Sequence, residues 1–247
     1  MMIIDYIHLE SINSTNTFAK ENALHFHPHH LTCITALEQT AGRGRYNRKW
    51  ISPKDKNLYL SLFLTLPSYL SYILNLGQIM AMACHEMLLE KGITLMLKWP
   101  NDLLLDYRKI GGILTETVVI NQRVGVVIGL GLNVNLTKEE YAHIDQPVTS
   151  LCEWTGTLIN PSTFVEPLLK HFTKNLELLM THGFEPFLPY FKKYIAYQGK
   201  SVTLKLPQGP IQGICHSLLP DGSLQLLLPS GTLQTVSMGE IIMHSAS

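Results

Sequence analysis

Between residues 95 and 132 four strand-like runs follow one another with connections too short to carry a crossover. The runs centre on 95–99, 103–105, 110–120 and 123–132, and Asp106-Tyr107-Arg108 and Asn121-Gln122 supply turn chemistry between the last three. Strands joined this closely pair only antiparallel, so the middle of the chain is committed to a meander. Further strand patterns lie at 3–9, 31–37 and 58–64. Ser14 suits the N-cap of a short helix through Phe18, Ala19 and Ala23. Leu70, Ile73, Leu74, Gly77, Met80, Cys84, Met87 and Leu88 keep helical spacing up to a stop at Gly92. A second long helix starts near Pro161, with Val165, Leu168, Leu169, Phe172, Leu176, Leu179 and Met180 on one face, and another covers 184–194. After Gln198-Gly199 only short strands remain, at 202–206, 211–218, 224–228 and 233–236, with Gly209-Pro210, Asp221-Gly222 and Ser230-Gly231 between them. The pattern predicts an α+β fold: a mixed, largely antiparallel sheet with packed helices over residues 1–197, and a small C-terminal β-barrel over 198–247.

Charge narrows the partners. Nineteen basic and nineteen acidic residues give a formal net charge of zero, so no global field draws the chain to nucleic acid or an acidic membrane. Cys33, Cys84, Cys152 and Cys215 lack metal-type spacing and read as buried free thiols of a reducing compartment. The N-terminus lacks the basic flank and long apolar run of a signal peptide, and no apolar stretch is long enough to span a bilayer. A cytoplasmic protein is expected. The tract His25-Phe26-His27-Pro28-His29-His30 reads as a surface loop rather than a metal site.

Basic character is local. Gly42-Arg43-Gly44-Arg45-Tyr46-Asn47-Arg48-Lys49 holds four cations and no acid. Glycines allow close approach of backbone to ligand, and guanidinium forks suit phosphate or carboxylate oxygens. Mutual repulsion is expected to keep this loop open until an anion arrives. Alone, the run would read as a solvated loop. A second segment raises its meaning: a hairpin would bring Lys98 and Asp102 of Lys98-Trp99-Pro100-Asn101-Asp102 close to Lys109 of Arg108-Lys109-Ile110-Gly111-Gly112. If Lys98 and Asp102 formed only a surface pair, it would be worth about 0–1 kcal/mol. Ser14-Thr15-Asn16 adds three short hydrogen-bonding side chains at a helix start. Gly129-Leu130-Gly131-Leu132-Asn133 matches a dinucleotide fingerprint only superficially, since the third glycine and the following helix are missing. Walker-type loops, zinc-type clusters and Gly-x-Ser-x-Gly elbows are absent from the sequence.

Taken in order, Ser14-Thr15-Asn16, Glu38-Gln39-Thr40-Ala41-Gly42-Arg43-Gly44-Arg45, Lys98-Trp99-Pro100-Asn101-Asp102, Lys109-Ile110-Gly111-Gly112-Ile113-Leu114 and Gly129-Leu130-Gly131-Leu132-Asn133 resemble the biotin–protein ligases. The resemblance runs from Ser11 to the terminal strands. It departs at Tyr46-Asn47, where the family loop usually has a second glycine pair; Asn47 tolerates left-handed backbone angles. The resemblance implies a class II synthetase-like ligase domain followed by an SH3-like barrel. It implies activation of biotin by ATP, with Mg²⁺, to biotinyl-5′-AMP, then transfer to a lysine of a biotin carboxyl carrier domain. On this resemblance Ser14, Thr15, Asn16 and Gln39 bind biotin, and Arg43, Gly44 and Arg45 close over the acyl-phosphate. Lys109, with Gly112 beside it, meets the biotin carboxylate and the α-phosphate. Arg48, Trp50, Lys98, Asn101, Asp102 and Asn133 fall to the ATP and adenylate side. Lys109, Arg45 and Asp102 are the catalytic candidates, with Asp102 orienting Lys109. Mg²⁺ is expected to arrive with ATP rather than on a protein site. Because the pattern begins by Ser11, leaving no room for a helix-turn-helix, a ligase without DNA binding is expected, as a monomer or weak homodimer. The alternatives are a lipoate or octanoate ligase or transferase, and a biotin binder without turnover.

Overall fold

The computed structural model describes residues 2–67 and 71–242. Its first strand, β1 (Ile4–Ile12), runs past the predicted end at Leu9 and delivers the chain to α1 (Thr15–Glu21). Ser14 takes the N-cap position in extended geometry, yet its side chain makes no capping hydrogen bond. β2 (Leu31–Gln39) lies parallel to β1, and β3 (Leu58–Pro67) returns antiparallel after the basic loop. A 3-10 turn at Ser71–Asn75 precedes α2 (Leu76–Leu89), which stops ahead of Gly92 at φ 77°. Leu70 and the side chain of Leu74, both part of the predicted helical spacing, lie outside the described residues.

The predicted meander follows as β4 (Met96–Lys98), β5 (Asp102–Leu105), β6 (Arg108–Ile120) and β7 (Arg123–Leu132), every successive pair antiparallel. Asp106, Tyr107 and Asn121 make its turns at positive φ. Two short helices that the sequence pattern did not reveal come next, α3 (Lys138–Tyr141) and α4 (Leu151–Thr155). The long helix is α5 (Val165–His182), and α6 (Leu188–Tyr194) completes the helical part.

These strands form one seven-stranded sheet in the order β1-β2-β3-β7-β6-β5-β4. Strand periodicity sorts its faces. On β3, Leu58, Leu60, Leu62, Leu64 and Leu66 enter the main core; on β7, Val126, Ile128, Leu130 and Leu132 do the same, beneath α2 and α5. Each such side chain contributes about 1.5–3 kcal/mol on leaving water. The alternate residues face the other way. There Ile34, Phe63 and Val127 pack against Ala19 and Ala23 near α1, while Ser61, Gly129, Gly131 and Gly112 leave the rest of that face bare.

After Gln198-Gly199 the chain forms β8 (Ser201–Leu206), β9 (Gly209–Leu218), β10 (Leu224–Leu227), β11 (Leu233–Val236) and β12 (Glu240–Ile242), an antiparallel sheet in the order β11-β10-β9-β8-β12. The sequence pattern missed β12, whose three residues are too few to show periodicity. All five strands contribute to one core, which also takes in Trp99, Leu104 and Ile195 from the larger part. Gly222 O accepts from both Trp99 Nε1 and Gln78 Nε2, at 3.0 and 2.9 Å. The C-terminal sheet is therefore fastened to the meander, beside the segment that carries Lys98 and Asp102.

Cys33, Cys84 and Cys215 are buried and Cys152 is partly so, all four as free thiols. Burial pushes the Cys33 and Cys84 thiols up to about 12 and that of Cys215 to about 11, which makes poor nucleophiles of them. Among the described residues no helix is long and apolar enough to cross a membrane.

Candidate active site

A cavity of about 300 Å³ lies on the bare face of the large sheet. Its floor is main chain. Gly112 stands opposite Gly131 in the β6–β7 register, and Gly129 stands opposite both Leu114 and Ser61. A methyl group on Gly129 would fall 2.2 Å from Asn16 Oδ1, and one on Gly131 would fall 2.4 Å from Trp50 Cε2. Glycine is required here by close approach: Asn16 and the Trp50 indole rest directly on the strand. The Gly-x-Gly pattern thus serves a flat strand rather than a phosphate-binding turn.

The basic loop folds across the cavity mouth as a small hairpin. Arg43 bridges to Lys49, Gly44 N donates to Arg48 O at 2.7 Å, and Trp50 N donates to Gly42 O at 2.9 Å. Gly42 tolerates no Cβ, which would meet Ser52 Oγ at 2.5 Å. The left-handed backbone falls instead on Tyr46 (φ 56°) and on Asn47 (φ 58°), the residue expected to accept it. The loop is not held open by repulsion, contrary to the sequence-based expectation. Acidic groups from distant strands balance two of its arginines: Arg43 Nη2 meets Glu116 Oε2 at 3.1 Å, and Arg48 makes a two-pronged pair with Glu240 at 2.6 Å on each prong. That pairing holds the Glu240 carboxyl below its ordinary range even though burial opposes it. Arg45 differs. Its Nη1 donates to Asn101 Oδ1 at 3.1 Å and Gly239 O at 3.0 Å, both neutral acceptors.

Deeper in the cavity Lys98, Asp102 and Lys109 come together as predicted, from the three successive strands β4, β5 and β6 rather than from a single hairpin. Lys109 Nζ lies 2.7 Å from Asp102 Oδ1, and Lys98 Nζ lies 3.6 Å from Oδ2. These side chains are only 16%, 14% and 10% exposed for Lys109, Lys98 and Asp102, so the surface-pair reading is excluded. Lys109 Nζ also lies 5.5 Å from the Trp50 ring centre, a cation–π contact. Four cations, Lys98, Lys109, Arg45 and Arg48, thus line this end with two carboxylates, Asp102 and Glu240, the second of which also feels Lys98 and Lys109. This end of the cavity has an excess of two positive charges for an anionic ligand to neutralise.

The opposite end is neutral. Gln39 Oε1 accepts from Thr15 N at 2.9 Å and Thr15 Oγ1 at 3.2 Å, and Gln39 Nε2 donates to Ser52 Oγ at 3.0 Å. Ser61 Oγ lies 2.7 Å from Thr15 Oγ1 and 2.6 Å from Asn16 Oδ1. Ser14, Thr15 and Asn16 are all buried along this wall, with the Ser14 hydroxyl left free of helix capping.

Residues 8–133 match the family model described as the biotin/lipoate A/B protein ligase family. The chain belongs to that family. It is 33% identical over 216 residues to the bifunctional ligase/repressor BirA of Escherichia coli, covering 87% of this chain and 66% of that protein. The chain therefore spans slightly less than two thirds of this relative. It is 29% identical over 215 residues to the biotin–[acetyl-CoA-carboxylase] ligase of Paracoccus denitrificans, covering 84% of this chain and 88% of that one. A biotin protein ligase from Aquifex aeolicus, solved with biotin and ATP, superposes with a TM-score of 0.82 at 29% identity, over 96% of this chain and 97% of that chain.

In this ligase-family member every sequence-predicted site residue lines the one cavity: Ser14, Thr15, Asn16 and Gln39 at the neutral end, Arg43, Gly44, Arg45, Arg48 and Trp50 from the loop, and Lys98, Asn101, Asp102, Lys109, Gly112 and Asn133 from the sheet. Sequence reasoning missed the acids that organise them, Glu116 and Glu240, and the outer wall. That wall is the segment from α3 to Val148. It lies along Lys109 through Lys109 N to Pro147 O at 2.8 Å and Thr149 N to Lys109 O at 3.0 Å, and it places Ile144 and Val148 on the cavity. Glu153 of α4 fastens the wall by accepting from Arg108 at 2.6 Å, from Thr149 Oγ1 at 3.1 Å and from Tyr141 OH. The only sequence signal was Asn133, whose Nδ2 donates to Thr149 O across this seam.

Proposed function

We propose that this chain is an ATP-dependent biotin–protein ligase. The carboxylate of biotin attacks the α-phosphorus of ATP, forming biotinyl-5′-AMP as the bond to pyrophosphate breaks. The amine of a lysine on a biotin carboxyl carrier domain then attacks the acyl carbon, forming the amide and releasing AMP and a proton. The observation that carries this reading is the polarity of the cavity: a neutral hydrogen-bonding end beside a buried end with two uncompensated positive charges, over a floor of bare main chain. The first suits a cyclic urea and the second suits a carboxylate meeting a triphosphate.

Ser14, Thr15, Asn16 and Gln39 hold the ring of biotin, and Arg43 with Gly44 covers it. Lys109 stands between the two reacting anions, where charge accumulates as they combine. Removing one preorganised donor from such a site typically costs about 3–4 kcal/mol of barrier. Arg45 supports the acyl-phosphate, and Asp102 orients Lys109 rather than accepting a proton, since its carboxylate already serves two ammonium groups. Lys98, Arg48, Trp50, Asn101 and Asn133 face the nucleotide. Mg²⁺ would arrive on the phosphates of ATP rather than on a site of the protein alone. Closure of the loop excludes water from the mixed anhydride.

Residues 1–197 form the catalytic part, and residues 198–247 form a C-terminal domain that closes the loop. The four free thiols support a cytoplasmic setting. The protein acts as a monomer or weak homodimer and does not bind DNA, and its macromolecular partner is the carrier domain. The buried thiols disfavour a transferase with a cysteine nucleophile, and the similarity to biotin ligases favours biotin over lipoate. Purified protein should catalyse biotin-dependent ATP–pyrophosphate exchange and label a carrier domain on a streptavidin blot. Exchange supported by lipoate but not by biotin would overturn the reading.

A further inference from the structure

Glu116 does not line the cavity, yet it joins three separate parts of its neutral end. It stands on β6 opposite Val127, on the face where Val118 and Ile120 pack into the apolar cluster beside α1. Its carboxylate accepts from Lys20 Nζ of α1 at 2.6 Å, from Asn16 Nδ2 at 2.9 Å, and from Arg43 Nη2 at 3.1 and 3.2 Å. Only 20% of the side chain is exposed. An ionised carboxylate has acceptors and no donor, so Asn16 can present only its NH₂ group to Glu116. The second proton of that group goes to Leu114 O at 3.1 Å. The amide oxygen is thereby turned to Ser61 and to the Gly129 floor, with a lone pair left for a donor on the ligand. The same carboxylate ties the first arginine of the basic loop to the sheet.

We propose that Glu116 is a positioning residue that makes the neutral end select ligand heads carrying N–H donors: it fixes Asn16 with the amide oxygen on the cavity and holds Arg43 across the rim. The inference rests on the ligase reading above, under which the selected head is the cyclic urea, with two N–H donors, and not a dithiolane, which has none.

The test uses the full chain with Glu116→Gln, which keeps size and one acceptor but loses the charge and the second acceptor. In ligand-free protein, trypsin should nick the loop between residues 43 and 49 about fivefold faster than in the unaltered chain. In pyrophosphate exchange the KM for biotin should rise about tenfold. The KM for ATP and kcat at saturating biotin should stay within about threefold, the signature of lost ground-state positioning. Glu116→Asp, which keeps the charge on a shorter stem, should fall between the two and serves if the glutamine variant folds poorly. Unaltered nicking together with an unaltered KM for biotin would overturn the proposal, as would an equal loss in kcat and both KM values. If the unaltered chain shows no biotin-dependent exchange, the ligase reading fails, while the nicking ratio still decides whether Glu116 holds Arg43.

Discussion

At Lys109 a single ammonium group forms an ion pair with Asp102 and, in the function proposed above, also serves the chemistry, and the two can be separated. Asp102 retains Lys98 when Lys109 is removed, so Lys109→Ala should leave the thermal midpoint nearly unchanged while reducing biotin-dependent exchange by roughly two to three orders of magnitude. Near-normal exchange in that variant would remove Lys109 from its assigned role. His85 is the opposite case, a titratable residue remote from the cavity. It is 0% exposed, its Nδ1 lies 3.0 Å from Tyr190 OH, and its ring packs edge-on to Tyr194. Burial, reinforced by the charge of Lys193, lowers its pKa from 6.5 to about 4. A lowered value means that the folded chain resists a proton which the unfolded chain accepts. The stabilisation is full above pH 6.5 and drains away as pH falls toward 4. Between pH 6.5 and 5 the loss should be about 2 kcal/mol, read from urea midpoints. His85→Gln should flatten that slope, and an equally steep slope in the variant would assign the effect elsewhere.

Strand β7 does its work by what it lacks. Its even-numbered residues from Val126 to Leu132 fill the core, and Gly129 and Gly131 let Asn16 and Trp50 lie flat on the other face. Gly131→Ala should push the indole off the strand and cut adenylate formation at least about tenfold, with core packing and the unfolding transition retained. A crystal structure of that variant with Trp50 unmoved, or full activity, would contradict this account. The alternation of β3 and β7 was legible in the sequence because period two is a local property of a strand. The meeting of Lys98, Asp102 and Lys109 was legible too, because it follows from two short turns, one on each side of β5. Glu116 was not. An acid at an alternating position reads as solvent-facing, and nothing local announces that Lys20 and Arg43 will arrive there from other elements.

Across the whole molecule the C-terminal sheet reaches back to the basic loop. Arg48 and Glu240 are 192 positions apart, and Gly239 O holds Arg45 from the same turn. No spacing rule spans that distance, which is why neither β12 nor the closed form of the loop could be anticipated. Arg48 is 54% exposed, so the pair should add only about 0–1 kcal/mol to stability. Glu240→Ala should therefore barely move the thermal midpoint while weakening adenylate formation several-fold through a looser loop, measured as exchange rate against ATP concentration. A large drop in midpoint with intact exchange would reverse that assignment. The main-chain floor also limits redesign. Hydrogen is the smallest side group, so no substitution at Gly112, Gly129 or Gly131 can deepen the pocket. Room for a bulkier ligand has to come from trimming side chains that line the cavity, such as Leu114, Ile144 or Val148.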